Sequence, residues 1–463
     1  MAEKHAPTWR KVFGIAIGLA VLALVAGADA QVVPKPKPQS PLGDDAIGDV
    51  LKNDGAIPAD RPRPVTPSGH TATAVAPPAI IMGVRIGEHQ DRTRFVVEVS
   101  DPVEMRTFTL SGPNRVVIDM PVVQWHLEAP PRPTGHGVVR SYRYGLFRPG
   151  NSRFVIDLNS PVAVSDALVI PPTGGYGYRV VIDLFATNQA KFDQTAGWPA
   201  DLRAREAAAA LMASLPPAQQ QSPATANKRV VVIDPGHGGI DSGTSGANGL
   251  MEKDLVLDEA QRLARELAQR TNYVVHLTRD SDVYIPLKER VNIGRSWRAD
   301  LFISLHADSN PDAGVSGLSI YTLSESGSDK EAAALARKEN QSDVIAGVDL
   351  SGGNSTVAPI LIDLAQRDTM NRSSRFAQGA VGMLSRTTDI LPRQPLRAAA
   401  FVVLKAPDVP SVLIELGYLS NSADARQMNT PRWRNSVAQA IAGAVDRYFA
   451  PAAGAANSVG GGL

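Results

Sequence analysis

The C-terminal half of the chain alternates continuous apolar runs with stretches of helical periodicity. Residues 229–234 (RVVVID) form an apolar run of the kind that is buried on both faces of a sheet. The next periodic stretch repeats apolar residues at helical spacing and places Glu252 in its first turn. Further apolar runs precede His306 and surround Glu415. This alternation predicts an α/β domain over residues 229–450, with a mostly parallel central sheet flanked by helices.

A different pattern precedes this domain. Residues 94–103 (RFVVEVSDPV) are similar to residues 153–162 (RFVIDLNSPV), and residues 115–120 (RVVIDM) are similar to residues 179–184 (RVVIDL). These runs are rich in β-branched residues, and no long helical period separates them, so they predict an all-β unit over residues 79–188. The repeat favours two similar halves packed face to face as a small β-sandwich. The Arg and Asp residues at the strand ends are expected to be solvated.

The other segments are predicted to be a signal, two linkers and a tail. Residues 1–30 combine a basic start, an apolar run and a small-residue ending, which is typical of a secretory signal peptide. A retained membrane anchor is the alternative, but the apolar run is shorter than the ~20 residues that a spanning helix needs. Residues 31–78 are rich in proline and predict an extended linker. Residues 189–228 predict a second linker, and residues 451–463 a disordered tail.

Composition narrows the chemistry that the chain can perform. Its 463 residues include 47 basic and 46 acidic side chains, for a net charge of +1, and no cysteine. A balanced charge gives no general attraction to nucleic acid, so no nucleic-acid partner is expected. The absence of cysteine excludes disulfides, thiolate metal sites and cysteine nucleophiles. Any metal must therefore be bound by His, Asp and Glu.

Residues of these types lie at strand ends and at a helix start. His237 follows the first strand in a glycine-rich turn, Glu252 begins a helix, and His306 ends a later strand. Because the carboxyl ends of parallel strands meet at one edge of a sheet, we expect these three side chains to lie together. Such a set suits zinc, with one position left for water. Glu415 lies in an apolar strand, where a carboxylate is costly unless it is paired, and is the candidate general base.

Four motifs, in order along the chain, resemble the zinc-dependent N-acetylmuramoyl-L-alanine amidases of the division-amidase type. The motifs are IDPGHGG at residues 233–239, EKD at 252–254, ISLHAD at 303–308 and IELGYLSN at 414–421. The β unit resembles the AMIN domain, a peptidoglycan-binding module of periplasmic cell-wall amidases. Carried over by position, the resemblance implies that His237, Glu252 and His306 bind one zinc ion and that Glu415 is the catalytic carboxylate.

The resemblance also implies a reaction and a location. The reaction is cleavage of the amide bond between N-acetylmuramic acid and L-alanine of the stem peptide of peptidoglycan, for daughter-cell separation. The location is the periplasm, at the septum, with no membrane span once the signal is removed. Two other functions stay open. A zinc peptidase that cuts within the stem peptide would use the same ligands. A non-catalytic peptidoglycan-binding scaffold is the other, although it would not need a complete metal site.

Residues 328–357 form a long detour after an apolar strand, where a connection of ~2 to 6 residues is usual. By resemblance, division amidases with such an insertion are inhibited by a helix over the zinc, and an activator of the LytM type displaces it. Glu339 is then the candidate for the open zinc position. The alternative is a solvated helix that ends at Glu339. Asp234 and Asp308, beside the histidines, either orient them or serve turns and caps.

Overall fold

The computed structural model describes residues 77–127, 136–173, 176–205, 228–246, 249–349 and 359–450. The signal at residues 1–30, nearly all of the first linker and the tail at residues 451–463 lie outside the described residues. Among the helices that are described, none is long and apolar enough to cross a membrane.

The N-terminal domain is a sandwich of two sheets, as its alternating β-branched runs predict. The strands are β1 (Ile80–Glu88), β2 (Arg92–Val99), β3 (Arg106–Leu110), β4 (Arg115–Met120), β5 (Gln124–Trp125), β6 (Val139–Arg148), β7 (Asn151–Leu158), β8 (Val162–Val164), β9 (Leu168–Ile170) and β10 (Tyr178–Ala186). The first sheet has the order β5-β1-β2-β10-β8, with β9 also paired to β10, and the second has the order β3-β4-β7-β6. Apolar residues from both sheets, such as Phe95 and Ile156, are fully buried between them.

The two repeats do not form one sheet each, as their similarity had suggested, because they exchange a strand. β2 of the first repeat pairs with β10 of the second, which places Arg94 opposite Asp183. β4 of the first repeat pairs with β7 of the second, which places Asp119 opposite Arg153. The expectation that these residues are solvated was wrong for the second pair. The Arg153 side chain is only 1% exposed, and its Nε lies 2.5 Å from Asp119 Oδ1.

Packed structure continues into the segment predicted as the second linker. Helix α1 (Gln189–Thr195) begins after Asn188, whose side chain accepts a hydrogen bond from Lys191 N. Phe192 of this helix is 1% exposed and packs into the sandwich core. Trp198 is also buried, and residues 200–205 are helical. Two buried aromatic residues therefore hold the start of a segment whose Ala, Gln and Pro content favoured a linker.

The C-terminal domain has a six-stranded sheet in the order β12-β11-β13-β16-β14-β15. The first four strands of this order are parallel, and β14 runs antiparallel to β16. This confirms the predicted α/β class with a mostly parallel sheet. The strands are β11 (Arg229–Pro235), β12 (Tyr273–Leu277), β13 (Leu301–His306), β14 (Ser319–Leu323), β15 (Leu396–Ala399) and β16 (Ser411–Glu415). The helices are α2 (Glu252–Ala268), α3 (Leu287–Ser296), α4 (Lys330–Glu339), α5 (Ser342–Ile345), α6 (Pro359–Leu384), α7 (Ser422–Met428) and α8 (Pro431–Phe449).

Helices cover both faces of this sheet. Alternate residues of β11 serve the two cores: Val231 and Ile233 pack on the side of α2, α6 and α8, whereas Val232 packs on the side of α3 and α4. This division explains why the strand is apolar without interruption. The polar carboxyl ends of the parallel strands are left for a site at one edge of the sheet.

Candidate metal centre

His237, Glu252 and His306 converge at the carboxyl edge of the sheet. His237 lies in the turn after β11, Glu252 is the first residue of α2, and His306 is the last residue of β13. His237 Nε2 lies 3.1 Å from Glu252 Oε1, and His306 Nδ1 lies 3.3 Å from the same oxygen. All three side chains are buried. Within the described residues they form a group with the spacing of metal ligands.

These atoms fit a zinc ion. In tetrahedral zinc sites with ligand bonds of about 2.0 to 2.2 Å, neighbouring ligand atoms lie about 3.3 to 3.6 Å apart. A fourth atom, Glu339 Oε2, lies 3.4 Å from His237 Nε2 and 3.2 Å from His306 Nδ1, close to the same spacing. Neither histidine nitrogen has a hydrogen-bond partner among the described residues, although both are buried. Two buried nitrogen atoms with no hydrogen bond are what a metal site requires.

Neighbouring groups hold the ligands in place. Ala307 N donates to Glu252 Oε1 at 2.8 Å, and Thr244 N donates to Glu252 Oε2 at 2.9 Å. Asp241 Oδ2 lies 3.0 Å from His237 Nδ1, which leaves Nε2 to face the cluster. The sequence pattern did not identify Asp241 as a partner of His237. Its only signal there is an acidic side chain four residues after a histidine in a glycine-rich turn.

A buried ion pair between Arg290 and Asp234 supports the turn that carries His237. His237 has a φ of 57°, a left-handed conformation that is uncommon for a non-glycine residue. Arg290 donates to His237 O at 2.6 Å, to Pro235 O at 2.7 Å and to Asp234 Oδ1 at 2.9 Å. Asp234 also accepts hydrogen bonds from Thr278 and Ser304. Asp234 therefore supports the backbone of His237 through Arg290, rather than through a hydrogen bond to the imidazole ring.

Glu415 is the last residue of β16 and lies opposite His306 in the sheet register. Its side chain is fully buried. Asp308 N donates to Glu415 Oε2 at 3.0 Å, whereas Oε1 has no partner among the described residues. Burial, together with the negative charges of Glu252, Asp308 and Glu339, raises the pKa of Glu415 well above its ordinary range. Glu415 therefore binds a proton more readily in these surroundings than an ordinary carboxyl group does.

The surroundings favour positive charge at the centre of the cluster. Burial disfavours the imidazolium form of His306, but the carboxylates of Glu339 and Glu252 outweigh it and raise the pKa of His306 to about 10. Burial also opposes ionisation of Glu252, but His237 and His306 keep its pKa well below the ordinary range. The same negative potential would stabilise a divalent cation in place of the protons.

Helix α4 directs Glu339 into this cluster. Asp329 caps the helix by accepting a hydrogen bond from Ala332 N at 2.8 Å. Ala332, Ala336 and Glu339 are spaced by four and three residues, so they share one face, and all three are buried. Glu339 is 6% exposed. The alternative of a solvated Glu339 is therefore wrong.

Further contacts fasten the insertion over the cluster. Lys338 Nζ bonds Asp308 Oδ1, which also accepts from Thr244 Oγ1 at 2.6 Å. The Asp308 side chain thus binds the insertion, and its backbone N–H binds Glu415. Ser342 Oγ donates to Asp241 Oδ2. The cavity that His237, His306 and Glu339 line has a volume of only about 10 Å³, which is about the room that one water needs.

The described residues therefore form a β-sandwich and an α/β domain, and the α/β domain carries a buried His-Glu-His cluster with the spacing of metal ligands. Residues 231–447 match the N-acetylmuramoyl-L-alanine amidase family, and residues 83–184 match the AMIN domain. The chain is 34% identical over 384 residues to the N-acetylmuramoyl-L-alanine amidase AmiC of Escherichia coli, a match that covers 81% of this chain and 90% of that protein.

Two further relatives agree with this match. The AmiC amidase of Neisseria meningitidis is 32% identical over 381 residues, which cover 79% of this chain and 89% of that protein. The AmiA amidase of Escherichia coli is 39% identical over 223 residues, which cover 48% of this chain and 76% of that protein. The chain belongs to the N-acetylmuramoyl-L-alanine amidases and carries an AMIN domain. This confirms the resemblance drawn from the four motifs.

Proposed function

We propose that this protein is a zinc-dependent amidase of the bacterial cell wall. It hydrolyses the amide bond between the lactyl group of N-acetylmuramic acid and L-alanine of the peptidoglycan stem peptide. The observation that carries the proposal is the convergence of His237, Glu252 and His306, with Glu415 beside them. The names of the relatives, N-acetylmuramoyl-L-alanine amidases, support this choice of bond.

The roles of the residues follow from their contacts. His237, Glu252 and His306 would hold one zinc ion, which would supply Lewis-acid chemistry at the amide carbonyl and at the attacking water. Glu415 accepts the proton of that water and delivers it to the amide nitrogen as the bond breaks. The N–H of Asp308 holds Glu415 Oε2, so Oε1 stays available for the proton.

The protein acts outside the cytoplasm in this proposal. Residues 1–30 direct export and are removed, and the enzyme works in the periplasm, at the septum, during daughter-cell separation. The AMIN domain binds peptidoglycan and places the catalytic domain on its substrate. The match of residues 83–184 to the AMIN domain and the resemblance of the four motifs to the periplasmic division amidases support this setting.

The insertion keeps the enzyme inactive until it is needed. Glu339 lies against both histidines and would take the position that a bound zinc leaves open for water, and the helix that carries it closes the approach to the cluster. A protein activator of the LytM type binds residues 328–357 and displaces the helix. The burial of Glu339 and its 3.2 Å and 3.4 Å distances to the histidines support this role.

Digestion of purified sacculi tests the reaction. The parent protein and Glu339→Ala are incubated with sacculi, with EDTA or with EDTA followed by excess zinc, and the released fragments are identified by mass spectrometry. Glu415→Gln is the matched inactive control. We expect intact stem peptides with a free L-alanine amine, released only when zinc is present.

Two results would overturn the proposal. Fragments cut at another bond of the stem would identify a zinc peptidase. No metal-dependent release by either protein, with binding to sacculi retained, would identify a peptidoglycan-binding scaffold.

A further inference from the structure

The second sheet of the β domain packs directly against the catalytic domain beside the metal centre. The rings of Phe147 and Tyr284 stack with their centroids 6.1 Å apart. The backbones approach even more closely at Gly145 of β6. A Cβ atom at this glycine would lie 2.7 Å from both Cα and N of Ile240. Ile240 is three residues after His237, so the β domain touches the turn that carries a metal ligand.

The same sheet also holds the segment that follows Glu339. Helix α5 spans Ser342–Ile345, and the last carbonyl groups of a helix have no partner within it. Three arginines of the β domain donate to carbonyl groups at the end of this helix and just after it. Arg115 Nη1 donates to Val344 O at 2.7 Å, Arg143 Nε to Ile345 O at 2.5 Å, and Arg153 Nη1 to Ala346 O at 3.1 Å and Gly347 O at 2.9 Å. Trp198 N, from the same domain, donates to Asp349 Oδ2 at 2.9 Å.

These arginines are fixed by their own domain. Arg153 is bonded to Asp119, and its Cζ lies 3.5 Å from the centroid of the Phe147 ring. Arg143 Nη1 lies 2.5 Å from Asp157 Oδ2. Arg115 is buried like Arg153. A buried guanidinium that loses its carbonyl partners pays a desolvation cost, so the contacts of Arg115 and Arg153 hold the segment more firmly than exposed hydrogen bonds would.

The internal repeat separates the features that both sheets share from the contacts that only the second sheet makes with the catalytic domain. In β6, Arg143 lies opposite Val155 and Gly145 lies opposite Arg153. In the first sheet, Arg85 of β1 lies opposite Val96 and Gly87 lies opposite Arg94, so the register is the same. Arg85 pairs with Glu98 at 2.8 Å, as Arg143 pairs with Asp157, yet Arg85 is 60% exposed. A Cβ atom at Gly87 would meet only His89 Nε2, at an ordinary 3.7 Å. The repeat therefore supplies matched control positions for Arg143 and Gly145.

We propose that the β domain is a clamp on the inhibitory segment. Its second sheet binds residues 344–347 and Trp198 binds Asp349, which keeps Glu339 between the two histidines, and the domain must separate from this segment before the site can open. The inference rests on the inhibitory role of Glu339 given above. It assigns to the β domain a partner within the same chain, in addition to the wall.

Hydrogen–deuterium exchange on the zinc-loaded, full-length protein tests the clamp without relying on activity. Gly145→Ala places a methyl group against the backbone of Ile240 without changing any arginine, and Gly87→Ala is its control in the first sheet. We expect Gly145→Ala to accelerate exchange of the amides in residues 330–349 by about tenfold or more, and Gly87→Ala to leave it unchanged. Arg143→Met, with Arg85→Met as its control, gives a second pair should Gly145→Ala fail to fold.

Basal hydrolysis of dye-labelled sacculi, without activator, completes the test, with Glu339→Ala as the reference. We expect the clamp variants to release dye several-fold faster than their controls. Unchanged exchange in both clamp variants would overturn the proposal. So would accelerated exchange without a rise in hydrolysis, if Glu339→Ala is active. If Glu339→Ala is also inactive, accelerated exchange still supports the clamp, and the failure belongs to the proposed enzymatic function.

Discussion

Replacing Glu339 with alanine is expected to raise the basal hydrolysis of peptidoglycan. The carboxylate lies 3.2 Å and 3.4 Å from the two histidine nitrogens and is 6% exposed. The contact of this carboxylate with the charged centre is comparable in strength to a charge-assisted hydrogen bond, which contributes about 1.5 to 3 kcal/mol. Since about 1.4 kcal/mol corresponds to a tenfold change in an equilibrium, the loss increases the open fraction by roughly tenfold to a hundredfold. The basal rate should rise by the same factor while the open form remains the minor one.

The assay measures dye release from labelled sacculi by the zinc-loaded protein without activator. The zinc content of each sample is measured as well. Arg337→Ala is the control, because Arg337 is exposed on the same helix. We expect Arg337→Ala to match the parent. A Glu339→Ala rate within about twofold of the parent, at equal zinc content, would refute the inhibitory role. Loss of both zinc and activity would refute it too, since it would make Glu339 a required ligand.

Three further predictions concern single side chains. Glu415→Gln should lower kcat by about 10² to 10⁴ with zinc content unchanged, and a parent-like rate would exclude it as the proton carrier. Asp241→Asn should weaken zinc binding by about 10-fold to 100-fold in competition with a chelating dye, whereas an unchanged Kd would contradict its role on His237. Burial raises the pKa of Glu259 to about 8, so the stability due to its neutral form is present below pH 4.5 and lost as the pH rises through 8. Glu259→Gln should therefore raise the free energy of unfolding at pH 9 by up to about 5 kcal/mol and change it little at pH 4. Chemical denaturation at both pH values measures this, with the exposed Glu104→Gln as control, and equal gains at both would contradict the reasoning.

The positions of the candidate ligands and of Glu415 could be predicted because they depend on local pattern and sheet topology. A buried parallel strand must end at the carboxyl edge, and His306 and Glu415 stand at two such ends, opposite each other in register. Glu252 is found by the same logic, since it is the first residue of a periodic helix. Each of these assignments needs only the order of strands and helices.

The supporting contacts could not be predicted, because they join residues that are far apart in sequence. Arg290 reaches His237 O across 53 residues, and Arg153 reaches Ala346 O across 193. Neither arginine departs from the pattern expected of a helix or strand residue. Glu339 shows the same difficulty, since its helix has polar residues on several sides and only the packing of Ala332 and Ala336 decides which side is buried.

The strand exchange was hidden for a related reason. The runs RVVIDM and RVVIDL satisfy the same hydrogen-bonding and burial pattern whichever half they join. The sequence predicts that these strands form, but tertiary packing decides their neighbours. The reciprocal pairs Arg94–Asp183 and Arg153–Asp119 identify the exchanged arrangement only once the register is known.

The exchanged strands also set the order in which this domain can fold. β2 is hydrogen-bonded on one side to β1, its neighbour in the chain, but on the other side to β10, which ends at Ala186. A chain that emerges N-terminus first can form the β1–β2 hairpin early, yet the first sheet stays incomplete until the last strand has appeared. Such long-range pairing is slow, because the entropy of closing the intervening loop is lost before the contacts form. Neither repeat can therefore fold on its own, and the domain folds and unfolds as one cooperative unit.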